Sequence, residues 1–114
     1  MIGHMRDIRW TDREKKIARR AFEVALEAAL SRIMAEFKVK AAAATTPSEM
    51  WSVEDYLHRR RQEVGETFDH RYSQLPLVFA RLIHEGHLDE ARLIGLSEEK
   101  LEMIRNFQSH MKRG

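Results

Sequence analysis

The sequence predicts an all-α protein, a long two-helix hairpin carrying a small helical head, and three observations predict it. Apolar residues recur at threes and fours over most of the chain; Gly and Pro number only 5 and 2 in 114 residues; and no segment shows a strand's alternation with turn chemistry. Hydrophobic residues make up 43% and charged residues 33%, the profile of an ordered, well-solvated helical chain. Twenty basic groups nearly cancel eighteen acidic ones, leaving a formal net charge of +2, so the chain is no polyanion-binding tail. The absence of Cys removes disulfides and thiolate metal sites and fits a reducing compartment. No apolar run approaches the roughly 18–20 residues needed to span a bilayer, and the N-terminus lacks the apolar core of a secretory signal. A soluble cytoplasmic protein without direct membrane insertion is expected. Residues 1–5 carry no weight in this reading.

A first helix should begin near residue 11 or 12, where Thr11-Asp12-Arg13-Glu14 forms a capping box. Ile17, Ala21, Val24 and Ala28 make one stripe, and Ala18, Phe22, Ala25, Ala29, Ile33 and Phe37 the adjacent one. This broad apolar face is rich in Ala, which lets another helix come close. No breaker appears before Ala41 to Ala44, so the helix should run about 25–30 residues, close to 40 Å. Thr45-Thr46-Pro47 turns the chain, because a residue before proline avoids the α region. The second helix opens with Thr46 as cap, Pro47 at the first position and Glu49 placed to close a capping box. It should run back for about 25 residues, with Met50, Val53, Leu57, Val64 and Phe68 on one face. Arg61 fills the gap in that stripe. Gly65 inside the helix costs about 1 kcal/mol relative to Ala, and marks either a close crossing or a weak spot.

Residues 1–72 thus read as the hairpin and residues 73–114 as the head. In the head, Ser73 can cap a short apolar helix with Pro76 in its first turn, built on Leu75, Val78, Phe79, Leu82 and Ile83 and ending at Gly86. Leu88 to Leu93 reads as a further short helix stopped by Gly95. Ser97 caps the last helix, where Leu96 can staple against Leu101, and Leu101, Ile104, Phe107 and Met111 face one way. A head of about 40 residues is near the lower limit for a self-sufficient core. Each long helix buries only one side against its mate. A homodimer joined through the hairpin is therefore expected.

The candidate chemistry is contact chemistry. Arg61 interrupts an apolar stripe, and a buried or interfacial Arg must find a carboxylate; Asp55 of a second chain would serve, or Glu63 or Asp69 locally. Trp51 stands four residues before Asp55, on the same strip, as a candidate anchor. His84 and His87 have the spacing of a metal pair, but Gly86 between them should end the helix, so no metal site is expected. Arg59 and Arg60 read as a solvated charged face. No nucleophile–base pair, phosphate-cradling loop or paired-carboxylate signature occurs, and neither an enzyme nor a cofactor is expected.

Met50-Trp51, Asp55-Tyr56-Leu57 and Arg61, then Phe68-Asp69 and Arg71, then Val78-Phe79-Ala80, Leu82 and Glu85-Gly86 stand in an order and spacing that resembles the fluorescence recovery protein family of cyanobacteria. The likeness covers about residues 10 to 107, with Trp10 matching a Trp ahead of the first helix. It implies an all-helical homodimer whose long helices form the dimer surface and whose heads project from it. It also implies a regulator that makes and breaks no covalent bond. Such a regulator binds the photoactivated red form of the orange carotenoid protein, speeds its return to the orange form, and promotes its detachment from the phycobilisome. By this resemblance Trp51, Asp55 and Arg61 correspond to the functional surface at the dimer interface, with Met50 a dimer contact and Glu54 on the same surface. Leu77, Phe79, Met103 and Phe107 fall in the head region that touches the carotenoid protein. Glu54 stands where the family usually has His, Leu77 where it has Phe, and Met103 where it has a basic residue. These departures mark a divergent member, whose client is an orange carotenoid protein or a related protein. The alternative is a helical adaptor or regulator with a different protein client or DNA; near-neutral charge speaks against nucleic acid.

Overall fold

A computed structural model describes residues 9–113, the side chain of Arg113 excepted; residues 1–5, set aside above, lie outside the described residues. Thr11 stands extended ahead of α1 (Asp12–Ala43). Its hydroxyl accepts from the Glu14 N–H at 3.1 Å, while the Glu14 carboxylate accepts from the Thr11 N–H at 3.0 Å. The expected capping box is complete. α1 runs for 32 residues, about 48 Å, longer than its periodicity predicted. Its buried line is Ala18, Ala25 and Ala29 of the second stripe read from the sequence, joined by Ala21 of the first.

Thr46 opens α2 (Pro47–Thr67) by accepting from the Glu49 N–H at 3.1 Å. The Glu49 carboxylate reaches one residue further back than expected, to the backbone N–H and hydroxyl of Thr45. α2 has 21 residues, shorter than its pattern suggested. Phe68 leaves helical geometry and sets its ring edge-on to Phe22 of α1, with centroids 5.4 Å apart. Nothing lies within 4 Å of a methyl placed on Gly65, so no helix of this chain crosses there.

The head follows. Gln74, not Ser73, precedes α3 (Leu75–His84), and no side chain caps it; the Arg71 carbonyl accepts from the N–H groups of Gln74 and Leu75 instead. Leu75, Pro76, Val78, Phe79, Ala80 and Leu82 are all buried, so α3 is apolar nearly all round and forms the centre of the head. It ends as expected at Gly86, whose φ of 83° is left-handed. The N–H of Gly86 donates to Ile83 and that of His87 to Leu82, the paired bonds of a glycine-closed helix end. The expected helix over 88–93 is a single 3₁₀ turn (Glu90–Leu93), opened by the Asp89 carboxylate accepting from Ala91. Gly95 has φ of 111° and lies so close to α1 that a Cβ would stand 2.5 Å from Ile17. α4 (Glu98–Arg113) begins with the Ser97 hydroxyl accepting from the Lys100 N–H.

Head and hairpin share α1. Its first half packs Ala18, Ala21 and Ala25 into the same cluster as Phe79, Leu82, Leu93 and Ile104. A single acid–base pair fixes this arrangement. The Glu14 carboxylate accepts from the Ser97 N–H at 2.8 Å and from the Lys100 ammonium at 3.1 Å, and Lys100 also donates to the Arg9 carbonyl. Both side chains are buried. Beyond the head α1 projects outward, and the molecule measures 56 × 28 × 20 Å. Its radius of gyration is 17.0 Å, against about 13 Å for a compact domain of this length.

Burial pushes the Glu14 pKa up, but the N–H groups of Thr11 and Ser97 and the Lys100 ammonium outweigh it and hold the carboxyl below its ordinary 4.5. Its stabilising contribution is therefore full above that value and is lost as pH falls through the lower folded one. Glu14→Ala leaves Lys100 buried without its counter-charge and is expected to cost about 3–5 kcal/mol. The double variant Glu14→Leu/Lys100→Met is expected to be more stable than Glu14→Ala. Urea unfolding of the three proteins near neutral pH, and of the parent as pH is lowered, measures both effects.

Candidate functional site

Two open hollows lie along one side of the hairpin. The first, about 600 Å³, is lined by Phe37 and Ala41 of α1 and by Met50, Val53, Glu54 and Leu57 of α2. The second, about 440 Å³, continues it past Leu30, Ile33, Arg61 and Val64, and shares Glu54 and Leu57 with the first. Together they make one apolar seam. Along α2, Met50, Glu54, Leu57 and Arg61 are spaced by four, three and four, so they form its rim on one helix face. Leu30, Met34 and Met50 are exposed beside it, and Trp51 keeps 61% of its surface. An exposed apolar seam of this kind is a candidate contact surface.

Met50, Glu54 and Arg61 thus come together as expected, on the rim. Trp51 and Asp55 sit on the next strip outward, both exposed. The local partners considered for Arg61 are otherwise engaged: Glu63 pairs with Arg60 at 2.7 Å, and Asp69 binds Arg71. Among the described residues no carboxylate lies within ion-pair distance of Arg61. Asp55 of the same chain cannot serve. Six residues along a helix put the two side chains about 9 Å apart along the axis and on different faces.

Tyr56 escaped the periodicity reading. It is the buried residue of α2, and its hydroxyl donates to the Glu36 carboxylate of α1. Lys40 and Arg60 lie over its ring at 5.0 and 5.5 Å. This closes the face of the hairpin opposite the seam. The signal was the aromatic at the Val53–Tyr56–Arg60 spacing, masked by the more regular Met50–Leu57 stripe.

In the head, Leu77, Met103 and Phe107 are half-buried, and Phe107 leans on the core. Phe79 is different. It has no exposed surface, so this side chain holds the head's core and offers nothing to a partner. His84 lies at the end of α3 and His87 beyond Gly86, so the two share no helix face. His87 lies at the junction of hairpin and head, its Nε2 3.8 Å from the Glu85 carboxylate and its ring within the field of Arg32. Burial and then the Arg32 charge push its pKa down, against the opposing pull of Glu85. Among the described residues no helix is long and apolar enough to cross a membrane.

An all-helical hairpin and head with an open apolar seam, and with Arg61 unpaired among the described residues, is the class of molecule that the fold and site define. The particular kind is given by its relatives. The chain belongs to the family of the photoprotection regulator fluorescence recovery protein, whose model matches residues 10–108. The fluorescence recovery protein of Synechocystis sp. PCC 6803 is 28% identical over 96 residues, 84% of this chain and 88% of that relative. Among solved structures, the fluorescence recovery protein of Fremyella diplosiphon matches with a TM-score of 0.84 at 30% identity, covering 89% of this chain and 99% of that one. That of Synechocystis sp. PCC 6803 matches with a TM-score of 0.84 at 27% identity and the same coverage. The all-α fold and the family read from the sequence both stand. The family is regulatory, not an enzyme family.

Tyr56→Phe deletes the bond to Glu36 and is expected to lower the unfolding free energy by about 1–2 kcal/mol. Burial first, and the Glu36 carboxylate second, raise the Tyr56 pKa above 10.0. The contribution is present below that value and lost as pH rises through the higher folded one. An ultraviolet difference titration of parent against variant isolates this phenol, since Tyr72 is the one other tyrosine.

Proposed function

We propose that the chain is a cytoplasmic, non-catalytic homodimer that binds the photoactivated orange carotenoid protein, accelerates its return to the orange form and detaches it from the phycobilisome. The observation that carries this reading is the seam. Leu30, Met34 and Met50 lie exposed along a line that α1 and α2 cannot cover for each other, and a second copy laid against it would bury them. In that arrangement Arg61 of one copy reaches Asp55 of the other, and Trp51 anchors the margin. Residues 1–72 form the dimer surface and 73–114 the partner-binding head, through Leu77, Met103 and Phe107. A regulator that speeds relaxation must bind the closing arrangement of its client better than the open one; a dimer presenting two heads can hold the client's separated parts near each other. A second reading, the same scaffold serving another protein client, is favoured by Glu54, which puts a carboxylate on the rim beside Asp55.

Mixing the protein with photoactivated orange carotenoid protein and following red-to-orange recovery tests the first reading. A rate that rises with protein concentration is expected, and an unchanged rate at saturation rejects it. Arg61→Asp and Asp55→Arg are each expected to weaken the dimer at least about tenfold. The exchanged pair Arg61→Asp/Asp55→Arg is expected to recover it, as judged by sedimentation.

A further inference from the structure

The charge of this chain is unevenly placed. Residues 9–20 carry six of its twenty basic residues (Arg9, Arg13, Lys15, Lys16, Arg19, Arg20) and two of its eighteen acidic ones, so this short stretch is +4 and the remainder −2. Of the two acids, Glu14 is buried and neutralised by Lys100, and it offsets nothing outside. Lys15 lies over the Tyr72 ring at 5.5 Å. Arg13, Lys16, Arg19 and Arg20 are exposed on the side of α1 turned away from Ala18, Ala21 and Ala25. None of the four joins an ion pair among the described residues, although Asp12 and Glu23 stand at helix spacing from them. Folding gains little from this cluster, because Asp12–Lys16, Arg19–Glu23 and Arg20–Glu23 stand at attractive spacing but are offset by repulsions within it. Arg13–Lys16, Lys16–Arg19 and Lys16–Arg20 are like charges three or four residues apart, each costing a few tenths of a kcal/mol. They also sit near the positive end of the helix dipole.

We propose that the outer face of α1 between Arg13 and Arg20 is a docking site for a cluster of Asp and Glu side chains on a partner protein. The extent of the patch selects that class. Arg13 to Arg20 spans only about 10 Å. Directly along the same face come Glu23 and Glu27, both exposed, which repel any continuous run of negative charge. A nucleic-acid backbone or an anionic bilayer would meet that repulsion. A bilayer would also find no apolar surface to receive, because the apolar side of this part of α1 is spent on the head. A protein surface that is acidic opposite Arg13–Arg20 and basic or neutral opposite Glu23 and Glu27 fits both. The patch is separate from the seam and stands at the outer edge of the head.

The test compares two variants of equal net charge, Lys16→Glu/Arg20→Glu and Lys38→Glu/Lys112→Glu, against the parent. Binding of a labelled peptide of three or four glutamates, about as long as the patch and too short to reach Glu27, is measured by fluorescence anisotropy at low ionic strength. The parent and the Lys38→Glu/Lys112→Glu variant are expected to bind alike. The Lys16→Glu/Arg20→Glu variant is expected to bind at least about tenfold more weakly, with a melting temperature close to the parent's, because the pairs with Arg13 and Arg19 turn attractive while those with Asp12 and Glu23 turn repulsive. Equal binding by both variants overturns the proposal, as does tighter binding of a DNA duplex of the same charge or of vesicles containing anionic lipid. No carotenoid protein enters the measurement, so its outcome is independent of the recovery assay.

Discussion

One carboxylate governs how this chain is assembled. Glu14 closes the first turn of α1, accepts the N–H of Ser97 at the start of α4, and neutralises Lys100, all within 3.3 Å. Two helix starts, each with unsatisfied N–H groups and a positive dipole end, are brought side by side and share one anion. Burying an ion pair is seldom a large net gain over apolar packing, but removing one member is costly. The pair therefore acts chiefly as a register mark. It fixes which turn of α1 meets the head, and hence where the remaining length of α1 points.

The two ends of the molecule follow from that constraint. Near Glu14, α3 is apolar nearly all round and needs cover from α4, the 3₁₀ turn and α1 together. Ala18, Ala21 and Ala25 supply it because small side chains let backbones approach, and Gly95 fits against Ile17 where any Cβ would collide. Further out, α1 has left the head behind and α2 is its one companion. A pair of helices covers only one side of each, and the alanine line ends at Ala29 while larger apolar residues continue through Ile33 and Phe37.

What could be read in advance follows the same division. The Thr11–Glu14 capping box, the Thr46 cap, the turn at Pro47, the glycine closure at Gly86 and the Ser97 cap are decided within four residues, and the sequence displays them directly. The Glu14–Lys100 pair joins residues 86 apart, so Glu14 looked like an ordinary capping residue and Lys100 like a surface one. Ser73 lost its capping role to a backbone carbonyl, which no side-chain pattern announces. At the site, Met50 and Arg61 were legible as neighbours because Arg61 fills the gap in the stripe that Met50 begins, whereas Glu54 entered only through the resemblance. Phe79 was not: spacing places it on the apolar side of α3, but only the packing of α4 and α1 reveals that α3 has no other side.

The seam remains, and its chemistry sets limits on what can cover it. Of the 21 residues of α2, Tyr56 alone is buried, so the helix draws little of its ordering energy from its own chain. A purely apolar seam would be sealed by almost any greasy surface. This one carries Arg61 and Glu54 on its rim with Asp55 alongside, and burying either charge unpaired would cost several kcal/mol. Only a surface that presents an acid to Arg61 and avoids a second acid near Glu54 and Asp55 can close it. In the proposed dimer, an antiparallel copy of α2 meets both conditions at once, because two-fold symmetry sets each Arg61 against the partner copy's acidic turn. Within that proposed dimer the charged rim would do what Glu14 does within the chain: it would reject wrong registers by leaving a charge unpaired in each of them.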